Sequence, residues 1–170
     1  MNMNSLAVVD VRCSARLRLG EKPRWLRWSA MILAHSADSW FWLLGLAILW
    51  LWGPASWRWV EQVWFAGIVV TAALVFLCKR LFRRQRPPGE WGKIYRVTDP
   101  HSFPSGHASR AAMLAVSAFG LGMGGIAVFL LVWMPLVGLA RVAMGVHYLS
   151  DILAGAALGA LVGVLVLLIV

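Results

Sequence analysis

The sequence predicts an all-α, polytopic membrane helical bundle of about five transmembrane helices, preceded by an N-terminal interfacial amphipathic helix. Three observations lead there. Of the 170 residues, 61% are hydrophobic and 14% charged, whereas soluble domains run nearer 45–50% and about 25%. A chain this small cannot bury so much apolar surface in one aqueous core. Long stretches carry no charge at all, and eleven tryptophans suit anchoring at membrane interfaces. A soluble globular domain, a disordered chain and a disulfide scaffold are all disfavoured, and the length suits one compact bundle.

Taken in order, residues 1–22 read as a basic N-terminal tail, polar and loosely ordered, ahead of a single membrane-embedded domain over 23–170. Residues 24–35 are too short to cross a bilayer and read as the interfacial helix, with Trp25 and Trp28 at the headgroups. No small-residue cleavage site follows the first apolar run, so that span is expected to be retained. Uncharged runs cover 39–57, 62–78, 111–140 and 152–170, and a bilayer core takes roughly 17–25 helical residues. The run 111–140 would form a helix of about 45 Å at 1.5 Å per residue, too long for one span. The glycine-rich stretch from Gly120 to Gly125 divides it. The expected spans are 38–54, 57–78, 105–119, 124–142 and 148–170, the third short and partly inside the bundle.

The net charge of +9 is segregated: six Lys/Arg precede position 28 and seven lie between Lys79 and Arg96. An anionic membrane surface and an anionic substrate account for this better than nucleic acid does. Five spans place the tail, the 79–104 loop and the 143–147 turn on one side, and only Arg58 belongs clearly to the other. The positive-inside rule makes the charged side cytoplasmic. Cys13 and Cys78 are expected to be free thiols, since no spacing pairs them.

Three polar clusters fall on that charged side. Lys79-Arg-Leu-Phe-Arg-Arg-Gln-Arg86-Pro87 closes the second span, and Lys79 and Arg86 are near enough to two helical turns apart to share a face. A basic membrane stop facing anionic lipid is the alternative. Ser102-Phe-Pro-Ser-Gly-His107 precedes an apolar helix. Ser105 can cap it, and free N–H groups beside Gly106 can receive an anion. His107 can then donate a proton to whatever binds, or be an ordinary solvated turn residue. In the third cluster, His147 and Asp151 are i and i+4, so a carboxylate can orient an imidazole as nucleophile or base. A purely structural His–Asp hydrogen bond is the alternative.

Together these segments resemble the three-part signature of the type 2 phosphatidate phosphatase family, which shares its core with vanadium haloperoxidases. Lys79-x6-Arg86-Pro87, Pro104-Ser-Gly-His107 and Arg141-x5-His147-x3-Asp151 match in order, and the resemblance covers about 36–170. Ala140 stands where the family usually has Ser, and five spans replace the more usual six. The resemblance implies that His147 attacks phosphorus to form a phosphohistidine and that Asp151 orients it. His107 would protonate the leaving lipid oxygen, then activate water. Lys79, Arg86, Arg141 and the backbone N–H groups of Ser105 and Gly106 would bind the phosphoryl group, with no metal and no cofactor. The implied enzyme is an integral-membrane lipid phosphatase acting on a lipid phosphate or diphosphate. A polyisoprenyl (di)phosphate comes first, on the look of Arg83-Arg-Gln-Arg-Pro87 and Ser102 to Ala112. Phosphatidate or phosphatidylglycerophosphate is the alternative. A haloperoxidase and a non-catalytic lipid-binding protein are rivals of other classes.

Other residues have plainer readings. Gly155, Gly159 and Gly163 continue the spacing of four from His147 and Asp151, suiting close packing inside the bundle or a homodimer seam on the last helix. Arg110 reads as a snorkelling anchor or a further phosphate contact, His35 and Asp38 as polar termination signals or headgroup contacts, and His101 as a solvated loop residue. Trp50, Trp52, Trp57 and Trp59 read as an aromatic belt. The expected partners are the lipid substrate and membrane lipids, in a prokaryotic plasma membrane.

Overall fold

The computed structural model describes residues 3–20, 22–88 and 97–169. Part of the expected basic loop, 89–96, lies outside the described residues, as do single positions of the expected tail and last span. Seven α-helices appear among the described residues: α1 (Met3–Arg16), α2 (Arg24–His35), α3 (Ser39–Trp52), α4 (Arg58–Phe82), α5 (Gly106–Gly120), α6 (Gly125–Ala143) and α7 (Leu149–Ile169). A single 3-10 turn, Ala55–Trp57, leads into α4.

Helices stand where the five spans are expected. By length and apolarity, three of these units can cross a membrane: Ala55–Phe82, Gly125–Ala143 and Leu149–Ile169. The pair α2 and α3, bent by 59° at its break, passes the same test as a fourth. Helix α5 is only 15 residues long and is buried along nearly its whole length, from Ala108 to Ala118. It is the axis on which the other helices pack rather than a lipid-facing span.

Glycine makes that packing possible. A methyl group on Gly155 would meet the Ser105 carbonyl oxygen at 2.5 Å, and one on Gly159 would strike the Ser109 carbonyl. One on Gly163 would meet the Met113 carbonyl oxygen at 3.0 Å. The stripe therefore lies against α5, backbone to backbone, and is consumed inside the bundle. Around this seam Ile68, Met113, Leu114, Leu130, Val137 and Val162 form a dry core. Leu153, Leu161 and Leu168 point outward, as a lipid-solvated helix requires.

The N-terminal tail departs from expectation. It is helical over Met3–Arg16 and is tied to the bundle. Asp10 accepts from the Ser150 N–H at 3.0 Å, and Ser14 Oγ accepts from the Leu149 N–H at 2.9 Å. Two unsatisfied N–H groups at the start of α7 are thus capped from about 140 residues away, which gives the tail a reason to order. Arg18 donates to the Pro88 carbonyl at 3.1 Å and the Leu19 N–H to the Ala143 carbonyl at 2.9 Å. The tail, the segment after α4 and the α6–α7 turn therefore share one end of the bundle. Cys13 and Cys78 are free.

Candidate active site

At that end a cavity of about 800 Å³ opens, walled by Lys79, Arg86, His107, Arg110, Arg141 and His147. The last turn of α4 supplies Lys79. Helix α4 runs to Phe82, four residues beyond the expected boundary, because Lys and Arg are good helix formers whose charged heads reach water while their stems stay in apolar surroundings. It stops at Arg83, which takes a left-handed conformation with φ of 47°. Arg86 therefore does not share a helical face with Lys79, as the spacing suggests. It lies beyond the chain reversal, beside an isolated bridge between Gln85 and His101.

The two cations still converge, through Asp99. Arg86 Nη2 donates to the Asp99 carboxylate at 2.7 Å and its Nε to the Asp99 carbonyl at 2.7 Å. Lys79 ion-pairs with the same carboxylate. Arg86 Nη1 reaches the Val146 carbonyl at 2.9 Å and His147 Nε2 at 3.1 Å.

That last contact settles the tautomer of His147. Arginine only donates, so Nε2 accepts and carries no proton. The proton sits on Nδ1, which faces Asp151 Oδ2 at 3.4 Å. The ring thus presents an unprotonated, inward-facing nitrogen among cations. Burial holds the His147 pKa well below its ordinary value, reinforced by Arg141, Arg86 and Lys79. His147 itself precedes α7, in the turn after Gly145 (φ 68°), and Asp151 lies in the helix's first turn. They meet across the helix start rather than along one helical face.

Asp151 is fully buried and fully used. Its Oδ2 also accepts from the Tyr148 N–H at 2.9 Å, and its Oδ1 accepts from Arg84 Nη1 at 2.8 Å. Arg84 in turn reaches Ser150 Oγ at 2.6 Å and Asp10 at 2.7 Å, and lies 4.1 Å over the Tyr148 ring. A buried carboxylate with both oxygens engaged is a rigid orienting group.

On the facing helix, the expected role of Ser105 is corrected. Its N–H donates to the Asp151 carbonyl at 2.9 Å, its Oγ caps α5 at the Ala108 N–H, and its side chain is fully buried. Its N–H is not available to an anion. Gly106 does line the cavity at the start of α5, together with His107. His107 Nε2 lies 2.5 Å from Asp38 Oδ1. Arg110 is buried, with its guanidinium on the Ala37 carbonyl and Ser39 Oγ. It does not snorkel to a lipid surface.

The structure thus brings together Lys79, Arg86, Gly106, His107, Arg141, His147 and Asp151, and sets Ser105 behind them. Sequence reasoning missed Asp99, Arg84 and the cavity-lining position of His101. It also missed the pairing of Asp38 with His107. None belongs to a motif with fixed spacing; the one available signal is that acidic residues are few (seven in the chain), so each one near a membrane span needs a partner.

Comparison with known proteins identifies the family. Residues 61–170 match the PAP2 superfamily. The chain is 38% identical over 165 residues to decaprenylphosphoryl-5-phosphoribose phosphatase of Mycobacterium tuberculosis, covering 93% of this chain and 88% of that protein. It is 26% identical to lipid A 1-phosphatase of Rhizobium etli, covering 94% and 78%. The crystal structure of a transmembrane PAP2-type phosphatidylglycerolphosphate phosphatase from Bacillus subtilis superimposes with a TM-score of 0.80 at 26% identity, covering 97% of this chain and 86% of that one. With its cation-lined pocket, its histidines on facing helix starts and these relatives, the chain belongs to the PAP2 superfamily and is one of its membrane lipid phosphatases.

Proposed function

We propose that this enzyme removes the terminal phosphate of a polyisoprenyl lipid, such as a polyprenyl (di)phosphate or a polyprenyl-phosphoryl sugar phosphate, through a phosphohistidine on His147. The observation that carries the proposal is the unprotonated Nε2 of His147, held 3.1 Å from Arg86 in a cavity lined by five further cationic side chains. Phosphoryl transfer asks mainly for positioning and charge stabilisation. Lys79, Arg86, Arg141 and the Gly106 N–H supply both, and the substrate phosphate takes the place that the Asp99 carboxylate holds against Lys79 and Arg86.

His147 Nε2 attacks phosphorus as the bond to the leaving oxygen breaks. That oxygen keeps the electron pair and takes a proton from His107. Asp151 stabilises the His147 ring while it carries the phosphoryl group. Water then gives a proton to His107 and attacks phosphorus, the P–N bond breaks toward His147, and phosphate leaves. The cycle returns both histidines to their starting protonation.

The apolar tail has a path. The cavity continues from the cations along Ala72, Val75 and Phe76 of α4, so the chain can remain in the bilayer while the headgroup reacts. The 38% identity to a phosphatase named for a decaprenyl substrate supports the isoprenoid class. The superposition on a phosphatidylglycerolphosphate phosphatase favours a glycerophospholipid as second reading. The clustering of basic residues at the site's end supports a cytoplasmic-facing site. A homodimer on α7 would use its outward leucines, since the glycine stripe is occupied.

The test is phosphate release by purified protein from farnesyl diphosphate, undecaprenyl diphosphate and phosphatidate in mixed micelles with EDTA, with His147→Ala as blank. Release that survives EDTA and disappears in the variant supports the reading, and the order of rates identifies the lipid class. Release retained by His147→Ala overturns the phosphohistidine, and release only from phosphatidate overturns the isoprenoid assignment.

A further inference from the structure

The break between α2 and α3 has a chemical consequence. Asp38 stands at the N-cap position of α3 with extended backbone, yet its side chain makes no capping hydrogen bond. Aspartate is favoured there because its oxygens can accept the first helical N–H groups. Here the carboxylate forgoes that role and turns to α5, where Oδ1 lies 2.5 Å from His107 Nε2. Its Oδ2 is held by His35 Nδ1 at 3.1 Å and by Trp40 Nε1 at 3.3 Å. Arg110, one turn after His107, clamps the same bend through the Ala37 carbonyl and Ser39 Oγ. The 59° bend is therefore held to α5 by the contact between carboxylate and imidazole and by the Arg110 clamp.

The electrostatics explain why the contact is needed. His107 shares its cavity with Lys79, Arg86, Arg110 and Arg141, a setting that opposes a positively charged imidazole. The groups facing it are Asp38 from the bend, with His35 behind that carboxylate, Arg110 on its own helix and Arg141 from α6. Asp99 also lines the cavity but is engaged by Lys79 and Arg86, so Asp38 is the acidic group that reaches His107. An acid that must give up a proton has first to hold one.

We infer that Asp38 is the positioning residue of the general acid: it takes the Nε2–H of His107, aims Nδ1 at the leaving oxygen and stabilises the imidazolium that protonates it. The site thus contains two Asp–His pairs, Asp151 with the nucleophile and Asp38 with the acid. The inference rests on the role proposed above for His107. The proton balance is that of the scheme above: Nδ1 loses its proton to the leaving oxygen and regains one from water, while Nε2–H stays on Asp38.

The experiment compares leaving groups. Single-turnover release is measured for farnesyl phosphate, whose alkoxide needs protonation, and for 4-nitrophenyl phosphate, whose phenolate does not. Asp38→Asn keeps the shape and can still accept from His107, but removes the charge. General acid catalysis contributes roughly 10²–10⁴-fold, so farnesol release should fall about 100-fold while nitrophenol release changes less than about threefold. Asp38→Glu should recover part of the loss, and the alkaline limb of the farnesyl phosphate profile should move to lower pH in Asp38→Asn. Equal losses on both substrates, or no loss on either, overturn the inference. His107→Ala separates the two levels. If it keeps farnesol release, the proposed role of His107 fails. If it loses farnesol release while Asp38→Asn keeps it, only the role of Asp38 fails.

Discussion

Gly159→Ala tests whether the α5–α7 seam sets the catalytic geometry. The added methyl would strike the Ser109 carbonyl oxygen, with the Ser109 carbonyl carbon at 2.6 Å and its Cα at 2.8 Å. Ordinary van der Waals contact begins near 3.4 Å, so relieving the carbonyl-carbon contact alone requires the helices to part by about 0.8 Å, and the nearer oxygen requires more. All these atoms are backbone, so no side chain can swing aside. Overpacking of this kind costs about 1–3 kcal/mol. At about 2–4 °C per kcal/mol for a chain of this size, unfolding in detergent should drop by about 2–12 °C. Helix α5 carries His107 and α7 carries Asp151, so the same displacement separates acid from nucleophile. Misplacement by about 1 Å can cost about 100-fold in rate. Tryptophan-monitored unfolding and initial rates in one detergent measure both effects. Gly45→Ala is the control: nothing lies within 4 Å of its added methyl, and replacing a mid-helix glycine should stabilise by about 0.5–1 kcal/mol. Wild-type stability and turnover in Gly159→Ala would refute the claim that this seam is closed backbone to backbone.

The pocket makes three further predictions. Asp99→Asn removes the carboxylate that neutralises Lys79 and Arg86; vanadate, a phosphate mimic, should then inhibit about tenfold more strongly, and weaker inhibition would make Asp99 a positioner of those cations. Because burial and the neighbouring cations keep the His147 pKa well below the ordinary histidine value of about 6.5, the nucleophile stays neutral through mildly acidic conditions, and the acid limb of kcat/KM assigned to it should lie below pH 6.5. The sign for stability follows: the unfolded chain takes up a proton near pH 6.5 and the folded one resists, so this contribution is intact above pH 6.5 and declines as pH falls below it. An acid limb in kcat/KM above pH 6.5 that disappears in His147→Ala would contradict the first point. Unfolding temperatures that rise with acidification below pH 6.5 in wild type, but not in His147→Ala, would contradict the second.

Much of this enzyme is readable in one dimension. Composition alone requires a membrane, since 61% apolar residues cannot be hidden in so small an aqueous fold. Lys79, Arg86, Gly106, His107, Arg141, His147 and Asp151 are also legible, because together they resemble the three-part signature of a known family, although local spacing alone pairs only His147 with Asp151 correctly. Local spacing also misleads at specific points. It puts Arg86 on the face of Lys79, although the chain has already reversed at Arg83. It offers the Ser105 N–H to phosphate, although the Asp151 carbonyl already receives it. It leaves the basic tail loose, because nothing nearby in sequence needs capping.

What only the tertiary structure decided is the set of partners recruited from afar. Asp10 meets Ser150 across 140 positions, Asp38 meets His107 across 69, and Arg84 meets Asp151 across 67. Helical periodicity reports neighbours three and four residues apart, so such pairs leave no periodic trace. They arise because a dry bundle cannot leave a carboxylate or a helix start unsatisfied. The sequence by itself determined that this chain lives in a membrane and carries phosphate chemistry at one end. The packing of α5 against α7, and of the α2–α3 bend against α5, decided which acidic residue serves which histidine, because only close-packed helices hold those groups within hydrogen-bonding distance.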